Sequence, residues 1–290
     1  MKLDIFSHCV IDTIRINDTN HTVPGGAGCY CSLMAKTLKF DVVLHTKFGP
    51  DFSFVDYLTK KKILIENALS KKSTTKFILK ILSTDRTLFL ENKCDDINYT
   101  GLNSDNVLIS PIFDEIPTNV FEKIKKDACF IFLDPQGFLR RKDLKNKIYL
   151  EKTNLNLSGI SAIKISPDEL ACLTNQREDD GMKELQKKGI QNVILTNKQN
   201  ISLLSNDKIY SIKLPNLELF DTTGIGDIFS ATFCCTMIRE NDILWALSFA
   251  GGAAQAALES KQIGLEKIPS KGAIEANAYY FYNTIKFRQI

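Results

Sequence analysis

An alternation along the chain restricts the fold more than any other feature. Short apolar, β-branched runs at 42–46, 107–110, 129–133, 162–165 and 193–196 are each flanked by turn residues or charges, as buried strands are. Between or after them lie longer amphipathic stretches with helical spacing, at 27–38, 119–126, 167–175, 181–188 and 226–239. Strand followed by helix, repeated, predicts a mostly parallel sheet with helices on both faces, an α/β sandwich. From about Thr222 onward the chain turns helical, with 226–239, 243–258 and 272–285 joined by short connections. No repeat, low-complexity tract or long linker interrupts the 290 residues, so one domain over 1–290 is expected.

Two stretches break the alternation. Residues 10–23 and 76–91 mix apolar and polar side chains at short range, as in Phe77-Ile78-Leu79-Lys80-Ile81-Leu82. They read as half-buried or exposed antiparallel strands, with Asp85-Arg86 placed at a hairpin turn. Pairing them gives a small sheet projecting from the main one. A lid over a site and an edge decoration both fit that pattern.

The bulk numbers exclude several classes. A hydrophobic content of 44% over this length fills a core without disulfide staples. A net charge of +3, with both signs interspersed, gives no footprint for a nucleic-acid partner. The eight cysteines, at 9, 29, 31, 94, 129, 172, 234 and 235, contain no Cys-x-x-Cys pair, which removes a structural zinc site. Several, such as Cys129 and Cys234, sit in apolar segments and read as buried free thiols of a reducing compartment, the cytoplasm. The start, 1–6, is directly strand-like, with no signal peptide visible. Nowhere do about 18 apolar residues run without a charge, so no membrane partner is expected.

The chemistry concentrates in Asp221-Thr222-Thr223-Gly224-Ile225-Gly226-Asp227-Ile228-Phe229. Two glycines around one residue leave the backbone unobstructed where a helix begins. Amides at a helix start point outward unpaired, and the helix dipole favours an anion there. Asp227 follows in the first turn, where a carboxylate beside a bound phosphate accepts the proton of an attacking hydroxyl. Phosphoryl transfer asks little more of a protein than positioning, charge neutralisation with Mg²⁺ and such a base. A helix cap and a tight turn would explain a bare Gly-x-Gly; the whole run is far more specific.

This run resembles the C-terminal signature of the ribokinase-like (PfkB) carbohydrate kinases. The resemblance implies a three-layer α/β/α sandwich with a mostly parallel sheet and a small β lid, and ATP with Mg²⁺ as cofactors. It makes Gly224, Ile225 and Gly226 the anion hole, with Gly224 and Gly226 also touching the nucleotide, and Asp227 the catalytic base. Asp221 and Thr223 match positions that in many members help hold a monovalent cation, which makes K⁺ a candidate cofactor. Pro24-Gly25-Gly26-Ala27-Gly28 resembles the N-terminal substrate motif, and Asp12, taken as ending the first strand, matches the acid that hydrogen-bonds substrate hydroxyls. Lys47-Phe48-Gly49-Pro50-Asp51 resembles the Gly-x-Asp turn. Lys164-Ile165-Ser166-Pro167-Asp168-Glu169 resembles the Asn-x-x-Glu motif, with Ser166 in place of Asn and Glu169 acting on Mg²⁺ through water. Each of these weaker matches has a structural reading too: a strand cap for Asp12, a loop before a helix for Gly25-Gly26, a dipole-favoured first-turn acid for Glu169. Their shared order with the Asp227 motif is what joins them.

Three places depart from the pattern. Tyr30 stands where the family has an Asn touching the sugar, and an aromatic there packs on a sugar ring or a base. Thr196-Asn197-Lys198-Gln199-Asn200-Ile201 falls where the family has a Thr-x-Gly-x-x-Gly loop near the nucleotide, with Lys198 and Ile201 replacing both glycines. Thr196 and Lys198 are therefore carried as nucleotide contacts. Asp134-Pro135-Gln136-Gly137-Phe138-Leu139-Arg140 follows a strand on the ligand side of such a sheet. It loosely resembles a subgroup with archaeal and inositol kinases. Gln136, Arg140 and Lys164 are candidate phosphate or substrate contacts. The implied activity is an ATP-dependent kinase acting on a sugar or polyol hydroxyl. A nucleoside kinase and a binding-only homologue are the alternatives, and a homodimer is carried as a candidate assembly.

Overall fold

The structure is a computed structural model describing residues 1–16, 19–82, 85–215 and 221–290. The strands begin with β1 (Lys2–Phe6), β2 (Val10–Ile16), β3 (Thr19–Gly25), β4 (Asp41–His45), β5 (Ile63–Ile65), β6 (Thr75–Leu82), β7 (Asp85–Asn92) and β8 (Asn106–Ile109). They continue with β9 (Phe130–Leu133), β10 (Arg140–Lys142), β11 (Ile148–Leu150), β12 (Ala162–Ile165), β13 (Asn192–Asn197), β14 (Asn200–Ser205), β15 (Lys208–Lys213) and β16 (Lys286–Gln289). The helices are α1 (Gly26–Thr37), α2 (Val55–Lys60), α3 (Thr118–Asp127), α4 (Gln136–Leu139), α5 (Pro167–Thr174), α6 (Glu178–Lys187), α7 (Ile225–Glu240), α8 (Ile243–Glu259) and α9 (Lys271–Thr284).

Ten strands form the central sheet in the order β16-β15-β14-β13-β12-β9-β8-β1-β4-β5. From β5 to β13 every pairing is parallel, and β14, β15 and β16 extend the sheet antiparallel. Strand alternation sorts side chains between two cores. Leu108, Phe132, Ala162 and Ile194 pack on one face with residues of α1, α7, α8 and α9. Their neighbours Val107, Ile131, Leu133, Ile163 and Val193 pack on the other with residues of α3, α5 and α6. Both faces are covered, which is why these strands read as continuous apolar runs. The same parity matters for the site. Asp134 continues the Phe132 row and Lys164 the Ala162 row, so both face α7 at the carboxyl ends of their strands.

Residues 10–23 and 76–91 pair in a separate four-stranded sheet, ordered β3-β2-β6-β7. Its outer pairs are antiparallel, but the central β2–β6 pair is parallel, unlike the all-antiparallel expectation. Asp85 and Arg86 open β7 and pair with Leu82 and Ile81 instead of forming the turn. The linking residues 17–18 and 83–84 lie outside the described residues. Asp12 sits inside β2, not at the end of the first strand, because the chain leaves the main sheet at Phe6.

The stretch 196–201 forms the β13–β14 hairpin. Thr196 and Asn197 end one strand, Asn200 and Ile201 begin the next, and Lys198 turns the corner at φ 53°. The turn itself spans Lys198 and Gln199. Six cysteines are buried thiols, whereas Cys129, expected among them, is exposed just before β9. Among the described residues no helix is long and apolar enough to cross a membrane.

Packing of α8 on α9 sets a stability test. A Cβ on Gly252 would lie 2.6 Å from the Ile274 carbonyl oxygen and 2.9 Å from the Ala278 amide nitrogen. Helix propensity favours Ala over Gly by about 1 kcal/mol, but a clash with backbone outweighs that. Gly252→Ala is expected to lose about 1–2 kcal/mol in urea unfolding. Gly272→Ala, where a Cβ meets nothing within 4 Å, is expected to gain up to about 1 kcal/mol.

Candidate active site

A cavity of about 370 Å³ lies between the carboxyl ends of the parallel strands and the small sheet. Side chains alternate along β2, so Val10, Asp12 and Ile14 face it together. The register pairs Asp12 with Phe77 and Ile14 with Leu79, and these with Leu88 form its apolar wall. Opposite stand Gln136, Arg140, Lys164, Thr222, Thr223, Gly224, Gly226 and Asp227, with Gly26 and Tyr30 at the start of α1.

The α1 start is shaped by close approach. A Cβ on Gly25 would lie 2.0 Å from Asp12 Oδ2, and Gly26 donates its amide to the Asp12 carboxylate. Gly26 is left-handed at φ 77°, where a side chain would also strike Ile112 and the His8 carbonyl. The α7 start is built the same way. Gly224 is left-handed (φ 77°, ψ −2°) and caps the helix without a side-chain hydrogen bond. A Cβ there would fall 2.4–2.6 Å from ring atoms of Tyr30, so the aromatic ring is the floor on which the turn rests. The Tyr30 hydroxyl is buried with no hydrogen-bond partner among the described residues.

Charge is dense here. Lys164 Nζ binds Asp134 Oδ2 at 2.5 Å and would sit 3.2 Å from a Cβ on Gly226, which puts an ammonium beside the helix start. Gln136 Nε2 donates to Asp227 Oδ1 at 3.4 Å, and Arg140 Nη2 donates to Gln136 Oε1 at 2.6 Å. Burial, and then the charge of Asp134, push the Asp227 carboxyl up to about 7, against the pull of Lys164 and Arg140. Burial, and then Asp227, push Asp12 to about 7 as well. Burial opposes the Lys164 charge, yet Asp134, Glu169 and Asp227 together hold its pKa above the ordinary value.

Not every expected residue joins the cavity. Glu169 is buried near Asp134 and Lys164, but its Oε2 accepts the Ser166 amide at 2.7 Å while Ser166 Oγ accepts the Glu169 amide at 3.4 Å. This is a capping box at the start of α5, and it explains why a Ser serves at 166. Thr196 bonds the Ile165 carbonyl at 3.2 Å, and Lys198 is exposed on its turn; neither lines the cavity, nor do Gly25 and Ile225. Asp221 and Thr223 do turn oxygens on a cation, but the cation is the Lys267 ammonium. Lys267, Asp134, Thr222 and the apolar wall were not read as site residues. Strand parity from the Phe132-Leu133 run carried the signal for Asp134, whereas Lys267, 46 residues after Asp221 in sequence, left none.

Comparison with known proteins decides the family. Residues 2–270 match the model of the pfkB family of carbohydrate kinases. The chain belongs to that family. It is a phosphotransferase of the carbohydrate-kinase type, with an alcohol group as acceptor. No curated protein sequence matches it. Among solved structures, a pyrophosphate-dependent kinase in the ribokinase family, complexed with a pyrophosphate analogue and myo-inositol, is similar at TM-score 0.83 and 17% identity, covering 94% of this chain and 99% of that one. Arabidopsis thaliana ribokinase complexed with ribose and ATP is similar at TM-score 0.76 and 17% identity, covering 96% and 98%. Methanocaldococcus jannaschii nucleoside kinase reaches 0.74 at 17%, covering 97% and 99%. The architecture is the ribokinase fold.

The two raised carboxyls give this kinase a stability signature. Each ionises in the unfolded chain near the ordinary value of 3.8 but keeps its proton in the fold until about 7. The folded state then binds more protons than the unfolded one, so stability falls as pH rises between these limits. Asp227→Asn, which cannot ionise, is expected to be more stable than the wild type by about 1–3 kcal/mol above neutrality and equal to it near pH 4, read by denaturant melts across pH.

Proposed function

We propose that the chain transfers the γ-phosphoryl group of ATP to a hydroxyl of a sugar or polyol held between Asp12 and Asp227. The observation that carries this reading is the start of α7: Asp227 and the open Gly224–Gly226 turn face one cavity, and Asp12 closes it from the small sheet. The β2–β6 sheet is in this reading a lid, its apolar wall excluding water from the reacting groups. Asp12 accepts hydroxyl hydrogen bonds and orients the acceptor. Asp227, buried and with a pKa near neutrality, takes the proton of the attacking hydroxyl. Amides at the α7 start, with Lys164 and Arg140 beside them, face the charge that spreads over the moving phosphoryl oxygens.

Among the described residues no three His, Cys, Asp or Glu side chains gather as a metal cage. The donor set still suits Mg²⁺ brought in with the phosphates, since Asp134 and Glu169 place carboxylates beside Lys164. Those two would hold the ion through its retained waters. Bound there, Mg²⁺ supplies charge neutralisation of the donor phosphates. Glu169 keeps its capping role in either state.

A second donor deserves a parallel assay. In the β13–β14 hairpin Lys198 and Ile201 replace both glycines of the family's loop near the nucleotide, and the pyrophosphate-dependent relative is similar in fold at TM-score 0.83. Pyrophosphate is therefore the alternative to ATP.

The first experiment is a screen of sugars, polyols and nucleosides with each donor, followed as ADP or phosphate release. With the best acceptor, Asp227→Asn is expected to lower kcat by about 10²–10⁴ with little change in donor binding. Asp12→Ala is expected mainly to raise KM for the acceptor, because a site built to pair hydroxyls loses one acceptor atom. A folded Asp227→Asn enzyme with near-normal kcat would refute the base assignment.

A further inference from the structure

The resemblance implied a monovalent cation at Asp221 and Thr223, and the geometry there disagrees. Lys267 Nζ donates to the main-chain oxygen of Asp221 at 2.9 Å, to the main-chain oxygen of Thr223 at 3.0 Å, and to Asp221 Oδ2. Both side chains of the Lys267–Asp221 pair are fully buried. An ammonium has three protons, and these three oxygens take them. The Asp221 carboxylate is completed by the Thr223 amide on Oδ1 at 2.8 Å and the Gly264 amide on Oδ2 at 3.2 Å. Burial pushes Asp221 up, but Lys267 and then the Thr223 hydrogen bonds bring it below the ordinary value, so the carboxylate is ionised.

We infer that Lys267 is a covalently tethered replacement for the monovalent cation, fixing the Asp221–Gly224 turn in place without any ion from solution. A K⁺ ion does not fit beside it. Its ligands would be the oxygens already bonded to the ammonium, and two cations would share one buried carboxylate. The lysine comes from the short 3₁₀ turn Gly264–Lys267, whose Gly264 (φ 66°) packs on Val23 of β3. One ammonium thus ties the turn into α7 to a segment that also braces the small sheet. Lys267 is a positioning residue: it lines no part of the cavity and acts through the main chain of Asp221 and Thr223. Only the catalytic consequence, a ready-made anion hole, rests on the kinase reading. The occupancy of the cation site does not.

The test uses thermal unfolding of the full chain in KCl, LiCl and choline chloride at matched ionic strength. The wild type is expected to melt at one temperature in all three salts. Lys267→Ala leaves a buried carboxylate unpaired and an ammonium-sized space, so in LiCl and choline it is expected to melt about 5–15 °C lower. In KCl it should recover most of that loss, because K⁺ fills the vacated oxygens. Lys267→Met, whose chain refills the space without charge, should melt low in every salt. Selective stabilisation of the wild type by KCl overturns the inference. So does a Lys267→Ala chain that KCl does not rescue, folded or not, or one as stable as the wild type in choline. Calorimetric titration of the wild type with ADP is expected to give the same Kd with and without KCl, and a K⁺-dependent Kd overturns the inference too. If ADP binds in neither salt, the nucleotide reading fails while the melting curves still decide the lysine.

Discussion

The turn from Asp221 to Asp227 is the constraint around which the site is organised. A helix start leaves amides without partners, and here the cap is a left-handed glycine with no side chain to satisfy them. Within the turn, the Thr223 amide bonds the Asp221 carboxylate at 2.8 Å and the Ile225 amide bonds the Thr222 carbonyl at 3.4 Å. It is also held from outside: Tyr30 of α1 fills the space under Gly224, and Lys267 binds the main chain on either side of Thr222. The close packing of α1 on α7 and the return of the chain after α8 are therefore what keep the open amides open. The helix then carries Asp227 into the same cavity, so the helix-start amides and the carboxylate are positioned by one rigid element.

The second organising feature is an excess of carboxylate in a dry place. Asp12, Asp134, Glu169 and Asp227 surround Lys164 and Arg140. Burial raises the cost of each negative charge, and Asp12 and Asp227 respond by holding protons to about neutral pH. Lys164 binds Asp134 directly. Lys164 thereby remains a cation aimed at the helix start. A fold that carries such groups gives up stability to have them, as functional sites commonly do.

How much of this was legible depended on the range of the interaction. The alternation of apolar runs and amphipathic stretches determined the parallel core, because strand and helix periods are local properties of a chain buried on both sheet faces. The 221–229 run determined the glycine-capped helix start for the same reason: glycine spacing and a first-turn acid act within one turn of backbone. The antiparallel strands β14, β15 and β16 escaped, since half-exposed strands such as 208–213 mix polar and apolar residues and carry little pattern. The glycine-free 196–201 segment resembled a loop by position in the motif order, and only the antiparallel pairing shows that it is a two-residue hairpin turn.

What the sequence by itself determined, then, is the class of fold, the family and the helix start that carries Asp227. The tertiary structure alone decided which distant residues share that helix start. Asp12 reaches Asp227 only because a separate sheet crosses the strand ends. Tyr30 became a floor under Gly224 because α1 packs on α7. Lys267 took the place of an ion because the chain returns after α8 to bury its ammonium against Asp221. Contacts of this kind join residues tens to hundreds of positions apart through desolvated charge and excluded volume, and neither leaves a periodic trace in the order of amino acids.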